Sequence, residues 1–198
     1  MSIREHTSAD ARIEPYPVAT PGPAVWLLGA HGGSGVSTLA RYWSFADDAQ
    51  RQWPCGNARE IESPYVVVVC RETIQGLSSA HDLILEHRNR GLACELLGLV
   101  TVANAAGPPP KQVRQLRSIV TGAVAAHWSI GWHRFLASAA RSSLPTWRAL
   151  DGVPIQTKGA VIDVPEDVIA AGVGIVTALQ SALPTLWSVQ SSPGGTHS

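Results

Sequence analysis

The chain has 198 residues, 45% of them hydrophobic, which suffices for one good core and predicts a single domain with tails. Lys plus Arg and Asp plus Glu both number 15, so there is no global basic field, and binding to nucleic acid or an anionic membrane would have to rest on a local patch. The three cysteines, Cys55, Cys70 and Cys94, lack C-x-x-C spacing, which argues against a disulfide or zinc framework and for a reducing cytoplasm.

Met1 to Arg12 is polar and mixed in charge, unlike a signal peptide. Residues 1–23, ending in Pro15, Pro17, Pro21 and Pro23, read as a flexible arm. Residues 24–187 read as one α/β domain, and the Ser/Gly-rich residues 188–198 as a disordered tail. Within the domain, Val25 to Leu28 is a short buried strand, and Ser37 to about Ala46 a helix. Residues 47–63 read as irregular and polar, with solvated Asp47 and Asp48 at a helix end and a short strand at Glu60 to Glu62. Tyr65 to Cys70 is a continuous β-branched run, the pattern of a strand covered on both faces. A helix over Leu77 to Asn89 stops at Gly91, and Leu96 to Val102 is a second buried strand.

After a turn at Gly107 to Pro110, Lys111 to Ala125 reads as an amphipathic helix with Val113, Leu116, Ile119 or Val120, and Ala123 inward. Lys111, Arg114 and Arg117 recur on its other face, a solvated stripe or a local patch for nucleic acid or a partner. Trp128, Ile130 and Trp132 alternate as a third strand, and Trp128, Trp132 and Trp147 read as core or domain edge. A small helix over Phe135 to Arg141 and a Pro/Gly-containing passage over Leu144 to Gly159 follow. The last helix opens with Asp163 and Glu166 as an N-cap and N3 pair and Pro165 in the first turn. Its apolar stretch, Val168 to Trp187, holds Gln180 and Pro184 and fits a buried helix better than a membrane span. Strands alternating with helices predict an α/β fold in three layers, a mostly parallel sheet with helices on both faces.

The most informative segment is Trp26-Leu27-Leu28-Gly29-Ala30-His31-Gly32-Gly33-Ser34-Gly35-Val36-Ser37-Thr38. A strand runs into a glycine cluster and a helix follows, which aims backbone N–H groups at one point, as a bound phosphate requires. The phosphate-loop motif G-x-x-x-x-G-K-[ST] would need glycine at positions 30 and 35, lysine at 36 and serine or threonine at 37; the chain has Ala30, Gly35, Val36 and Ser37. Two of four defining positions match, and valine stands where the cation belongs.

These pieces resemble the MinD/ParA branch of P-loop NTPases, in a compact form also found in a group of actinobacterial proteins with the same altered loop. That branch reads G-K-G-G-x-G-K-[ST]-[ST] where positions 30–38 retain Gly32, Gly33, Gly35, Ser37 and Thr38 but replace its lysines with His31 and Val36. The resemblance covers roughly residues 24–140. It implies ATP with magnesium as cofactor, Ser37 as magnesium ligand, Asn104 at the adenine, and a possible homodimer. No h-h-h-h-D strand lies between Trp43 and Tyr65, so the branch's magnesium-linked Asp is missing from the pattern.

The residues alone leave alternatives open. The loop is a phosphate cradle or a tightly packed turn. His31 is a part-time cation or a neutral hydrogen-bonding partner, and Ser37 a magnesium ligand or a helix N-cap. Glu72 holds a metal or water, or forms a surface pair with Arg71. The leading expectation is a non-catalytic or weakly catalytic nucleotide- or anion-binding regulatory or assembly factor in the cytoplasm, with an unknown protein partner. The alternatives are a partitioning-type ATPase whose cation, Arg71 or another arginine, arrives in trans, and an interaction module with an empty loop.

Overall fold

The computed structural model describes residues 22–54, 62–148 and 164–183. Most of the expected arm, the expected tail, Cys55, Asp163 and nearly all of the strand expected at Glu60 to Glu62 lie outside them. Five parallel strands form one sheet: β1 (Val25–Gly29), β2 (Ala46–Asp48), β3 (Tyr65–Arg71), β4 (Glu95–Val102) and β5 (His127–Ile130), in the order β2-β1-β3-β4-β5. Among the described residues, four α-helices accompany it: α1 (Val36–Tyr42), α2 (Ile74–Arg90), α3 (Lys111–Thr121) and α4 (Glu166–Ala182). None is long and apolar enough to cross a membrane among the described residues.

The alternation of side chains along the strands assigns the helices to faces. Val25, Leu27, Val67 and Val69 share a core with α1 and α4, while Trp26, Leu28, Val66 and Val68 share the other with α2 and α3. Residues 66–70 of β3 are completely buried, as a β-branched run in the middle of such a sheet must be. Cys70 is therefore a core residue; burial first, then the Glu72 charge, pushes its thiol up to about 12.

Several elements differ from the sequence expectation. The first helix ends at Tyr42, and Asp47 and Asp48 lie on β2 rather than at a helix end. This strand has only three residues, too few to register as an apolar pattern, yet it pairs along β1 from Val25 to Leu27. The helix expected at Phe135 to Arg141 is two separate 3-10 turns, Arg134–Ala137 and Arg141–Ser143. In α3, Val120 faces inward and Ile119 is exposed. At α4, Pro165 occupies the N-cap position without a side-chain cap and Glu166 is the first helical residue rather than the third; Asp163 lies outside the described residues.

α4 also accounts for three of the seven tryptophans. Trp43 Nε1 donates to the Val168 carbonyl at 3.1 Å. A Cβ on Gly172 would lie 2.6 Å from the Trp147 ring and 2.8 Å from Trp43 Nε1, and one on Gly174 would collide with the Trp128 indole. The two glycines are notches that let the helix settle onto three indoles. Gly to Ala inside a helix ordinarily gains roughly 0.5–1 kcal/mol; at this notch overpacking costs about 1–3 kcal/mol. Gly172→Ala is therefore expected to lower the melting temperature by a few degrees in a circular dichroism melt, and a rise would show that the notch is not tight.

Candidate functional site

The sheet places the glycine segment at its topological switch point. The chain leaves β1 toward β2 through α1 on one face, and leaves β3 toward β4 through α2 on the other, so the loops after β1 and β3 diverge and open a crevice. The backbone turns between β1 and α1 use the left-handed region at Gly33 (φ 79°) and Gly35 (φ 107°), which glycine adopts without strain. Ser34 is turned inward and 3% exposed, and the Val36 side chain is buried in the core, so these two residues offer the site only backbone. Among the described residues, the N–H groups of Gly32, Gly33, Gly35, Val36 and Ser37 have no protein acceptor. All five residues border a hollow of about 320 Å³.

Ser37 is the second residue of α1, whose N-cap is Gly35, which corrects the N-cap reading. Its hydroxyl donates to Asp48 Oδ2 at 3.2 Å. An acidic strand end thus does stand beside the loop, although the sequence pattern lacks it. Asp48 Oδ1 accepts from the Gln50 N–H at 2.8 Å, in a turn where Gln50 and Arg51 both take positive φ. A left-handed non-glycine pair is uncommon in proteins. This one sets Arg51 at the rim of the hollow, where Arg71 and Arg141 also stand.

Arg71 fixes the loop. Its backbone N–H donates to His31 Nε2 at 3.1 Å, so that nitrogen carries no proton, and Nδ1, 2.9 Å from the Gly32 carbonyl, must be the donor. The neutral reading of His31 is the one this network supports. The Arg71 guanidinium donates through Nε to the Gly33 carbonyl at 3.2 Å and through Nη1 to the Ala103 carbonyl at 3.0 Å. Gly76 makes room for this junction, since a Cβ there would strike the Arg71 carbonyl and come within 2.8 Å of His31 Nε2.

The expected Arg71–Glu72 surface pair is absent. Glu72 is buried on the α2/α3 side, where Arg117 Nη1 donates to it at 2.8 Å and Thr101 Oγ1 at 3.0 Å. Thr101 Oγ1 also lies 3.0 Å from His127 Nε2. Arg117 therefore leaves the expected Lys111–Arg114–Arg117 stripe, and Arg114 donates to the Pro109 carbonyl.

A second, larger cavity of about 530 Å³ continues from the loop across the ends of β3, β4 and β5. Of these two spaces, His31, Gly32, Gly33, Gly35, Thr38 and Arg71 line both; Ser34, Val36 and Ser37 border the hollow and not the cavity, and Asn104, exposed at the end of β4, borders the cavity and not the hollow. At the cavity's other end stand Tyr42, Trp132 and His133. Trp132 lies beyond β5 and is half-exposed rather than core. His133 Nε2 is 2.9 and 3.0 Å from the two Asp167 oxygens, and Asp167 also accepts from the Gly131 N–H at 2.7 Å. The Tyr42 side chain is fully buried and its hydroxyl has no partner among the described residues. Burial first, then the Asp167 charge, raises the Tyr42 hydroxyl above the usual phenol range, so it stays protonated.

Sequence reasoning missed Asp48, Arg51, Tyr42, His133 and Arg141 as site residues. The rule that ligands sit beyond the carboxyl ends of strands would have pointed to Asp48 and His133. No local signal brings Arg141 or Arg51 to the loop. No protein-family model, no curated protein and no solved structure matches the chain.

The Glu72 network also fixes a pH dependence. Burial first, then the Arg117 charge, lowers the His127 pKa below its usual value, with Glu72 opposing. The unfolded chain then binds the proton more readily, so this contribution to stability is complete above about pH 7 and is lost as pH falls through the usual histidine range near ~6.5. His127→Gln is expected to flatten the decline of unfolding free energy between about pH 7 and 5 in urea titrations. An unchanged difference between the two proteins across that range would contradict it.

Proposed function

We propose that this protein is a degenerate P-loop protein of the MinD/ParA type that binds a phosphorylated ligand, most simply a nucleotide, in the crevice between the loops after β1 and β3. It acts as a weakly catalytic or non-catalytic regulatory or assembly factor. The observation that carries this reading is the convergence of Arg51, Arg71 and Arg141 on the hollow whose wall is the unpartnered loop amides. Lysine is missing from the loop, yet positive charge is not missing from the site.

An arginine tied to two carbonyls keeps three of its five N–H donors for an anion. Phosphate oxygens are well matched to such a fork, and arginine recognises them bidentately. The Ser37 hydroxyl and the Asp48 carboxylate are hard oxygen donors beside the hollow and fit a magnesium ion, which would then complete its shell with water and phosphate oxygens. Bound there, the ion would neutralise phosphate charge. The unidentified protein partner and the homodimer belong to the same proposal. A cation in trans is unnecessary to it, because Arg71 already lies over its own loop.

The test is thermal unfolding and calorimetric titration with pyrophosphate, ADP and ATP, each with magnesium. A ligand at about a hundred times its dissociation constant should add about 2.7 kcal/mol of stability. Arg71→Ala removes charge-assisted hydrogen bonds of about 1.5–3 kcal/mol, so affinity should fall roughly ten- to a hundredfold. Melting curves that stay flat with all three ligands would favour the interaction-module alternative. Robust magnesium-dependent turnover by the pure protein, abolished by Ser37→Ala, would favour the ATPase.

A further inference from the structure

His31 stands at the first lysine position of the motif that the loop resembles, yet both of its ring nitrogens are engaged inside the chain. Nε2 accepts from the Arg71 N–H at 3.1 Å, and Nδ1 lies 2.9 Å from the Gly32 carbonyl. Only the neutral tautomer with its proton on Nδ1 satisfies both partners. The main chain of the same residue closes the first turn of the loop, because the His31 carbonyl accepts from the Ser34 N–H at 3.3 Å. One residue thus shapes the glycine loop through its backbone and joins that loop to the end of β3 through its side chain.

The ring is also held in place. The first turn of α2 closes against Nε2: a Cβ on Gly76 would come within 2.8 Å of it, and the Gly76 N–H is itself tied to Thr73 Oγ1 at 3.0 Å. A flipped ring would set a carbon opposite the Arg71 N–H and leave that donor without its acceptor. A second proton, on Nε2, has the same effect and sets donor against donor. The charged groups around the ring are mostly cationic. Arg51, Arg71 and Arg141 border the hollow with His31, against one carboxylate among the described residues, Asp48. The cavity adds Tyr42 and His133, and the first turn of α2, Ile74 to Leu77, brings no titratable side chain. Glu72, the neighbour of Arg71 in the chain, lies on the other side of the sheet and is paired with Arg117.

We propose that His31 is a positioning residue that holds the anion site in shape only as a neutral ring, so that acid weakens the site. The proposal rests on the phosphate-site reading above, since the bound anion is what senses the shape of the loop. Histidine is the side chain that ordinarily changes charge between about pH 5 and 8. If charge alone mattered, an imidazolium beside the hollow would draw an anion in more tightly. The hollow already has three guanidiniums, and what it takes from His31 is geometry. The amides of Gly32 and Gly33 follow the ring directly in the chain and point at the anion only while the loop keeps its turn. A second proton on the ring releases the loop from the Arg71 backbone, beside the point where the Arg71 side chain also holds it. The loss of that one tie outweighs the gain of one more distant charge, and the site releases its anion in acid.

The experiment measures pyrophosphate with magnesium by calorimetry on the full chain, at about pH 8 and about pH 5.5, for the wild type and His31→Gln. The glutamine side-chain oxygen can stand in for Nε2 and accepts at either pH. The ratio of the two dissociation constants at one pH cancels the protonation of the ligand and of every group the proteins share, His127 and His133 included. At the higher pH the two constants should agree within about threefold; at the lower, the wild type should bind about tenfold more weakly than the variant. A ratio that is the same at both pH values overturns the proposal while sparing the phosphate site. So does a wild type that gains on the variant in acid, because the ring would then serve the anion as a cation. Should His31→Gln fail to fold, nitrogen-correlated NMR of the ligand-free wild type decides. The Nδ1–H tautomer at about pH 8, with an Arg71 amide resonance that shifts as the ring titrates, supports the proposal; the Nε2–H tautomer or an unmoved amide overturns it. Failure of pyrophosphate to bind either protein at the higher pH overturns the phosphate site and this proposal together.

Discussion

The site depends on one junction, between the end of β3 and the glycine loop. Three of the loop's residues are glycines, and fixing each residue's backbone costs roughly 1–2 kcal/mol of conformational entropy. Something outside the loop must hold it. Arg71 does this twice, with its backbone N–H on the His31 ring and its Nε on the Gly33 carbonyl, while Nη1 on the Ala103 carbonyl braces the guanidinium against the end of β4. The bonds tie the loop after β1 to the ends of β3 and β4 across the switch point. The absence of a side chain at Gly76 is part of the same arrangement, because α2 starts close against the His31 ring.

The other end of the cavity is set by packing on the opposite face of the sheet. α4 closes onto Trp43, Trp147 and Trp128 through its two glycine notches, and its first turn then reaches the end of β5. There Asp167 holds Gly131 and His133, and Val168 supplies cavity wall. One helix thus completes the core and positions a polar group at the crevice. Its N-cap residue, Pro165, offers no side-chain cap, and among the described residues the Asp167 contacts with the chain after β5 and with the Val168 N–H anchor that turn.

What the sequence reveals follows the length and regularity of each element. β3 and β4 are legible because a run of buried β-branched or apolar residues is long enough to be seen, and Gly91 ends α2 in the left-handed conformation that its type suggests. β2 is illegible at three residues, two of them aspartates, and with it goes Asp48. The 3-10 turns have no amphipathic period to detect. In the site, His31, the loop glycines, Ser37, Thr38 and Asn104 are local to strand ends and could be named in advance. Arg141 reaches the loop only through the tertiary fold, and Tyr42 looks like any core aromatic of a helix. A missing hydrogen bond on its hydroxyl is a property of the packed molecule alone.

On the proposed reading, valine where the phosphate-loop motif has lysine is a relocation of charge rather than its loss. Val36 turns into the core against α1's own face of the sheet, while cationic groups come from β3, the turn after β2 and a distant 3-10 turn. Position matters to chemistry. A lysine on a flexible stem can follow charge as it develops on a transferring phosphoryl group, which is what catalysis of that step requires. Arg71 is spread between two carbonyls, and moving it would release the loop that it holds. On the proposed reading, such a cation favours a bound anion over the transition state beyond it. On that same reading, the strut that keeps the loop in shape without lysine suits a binding protein better than an efficient hydrolase.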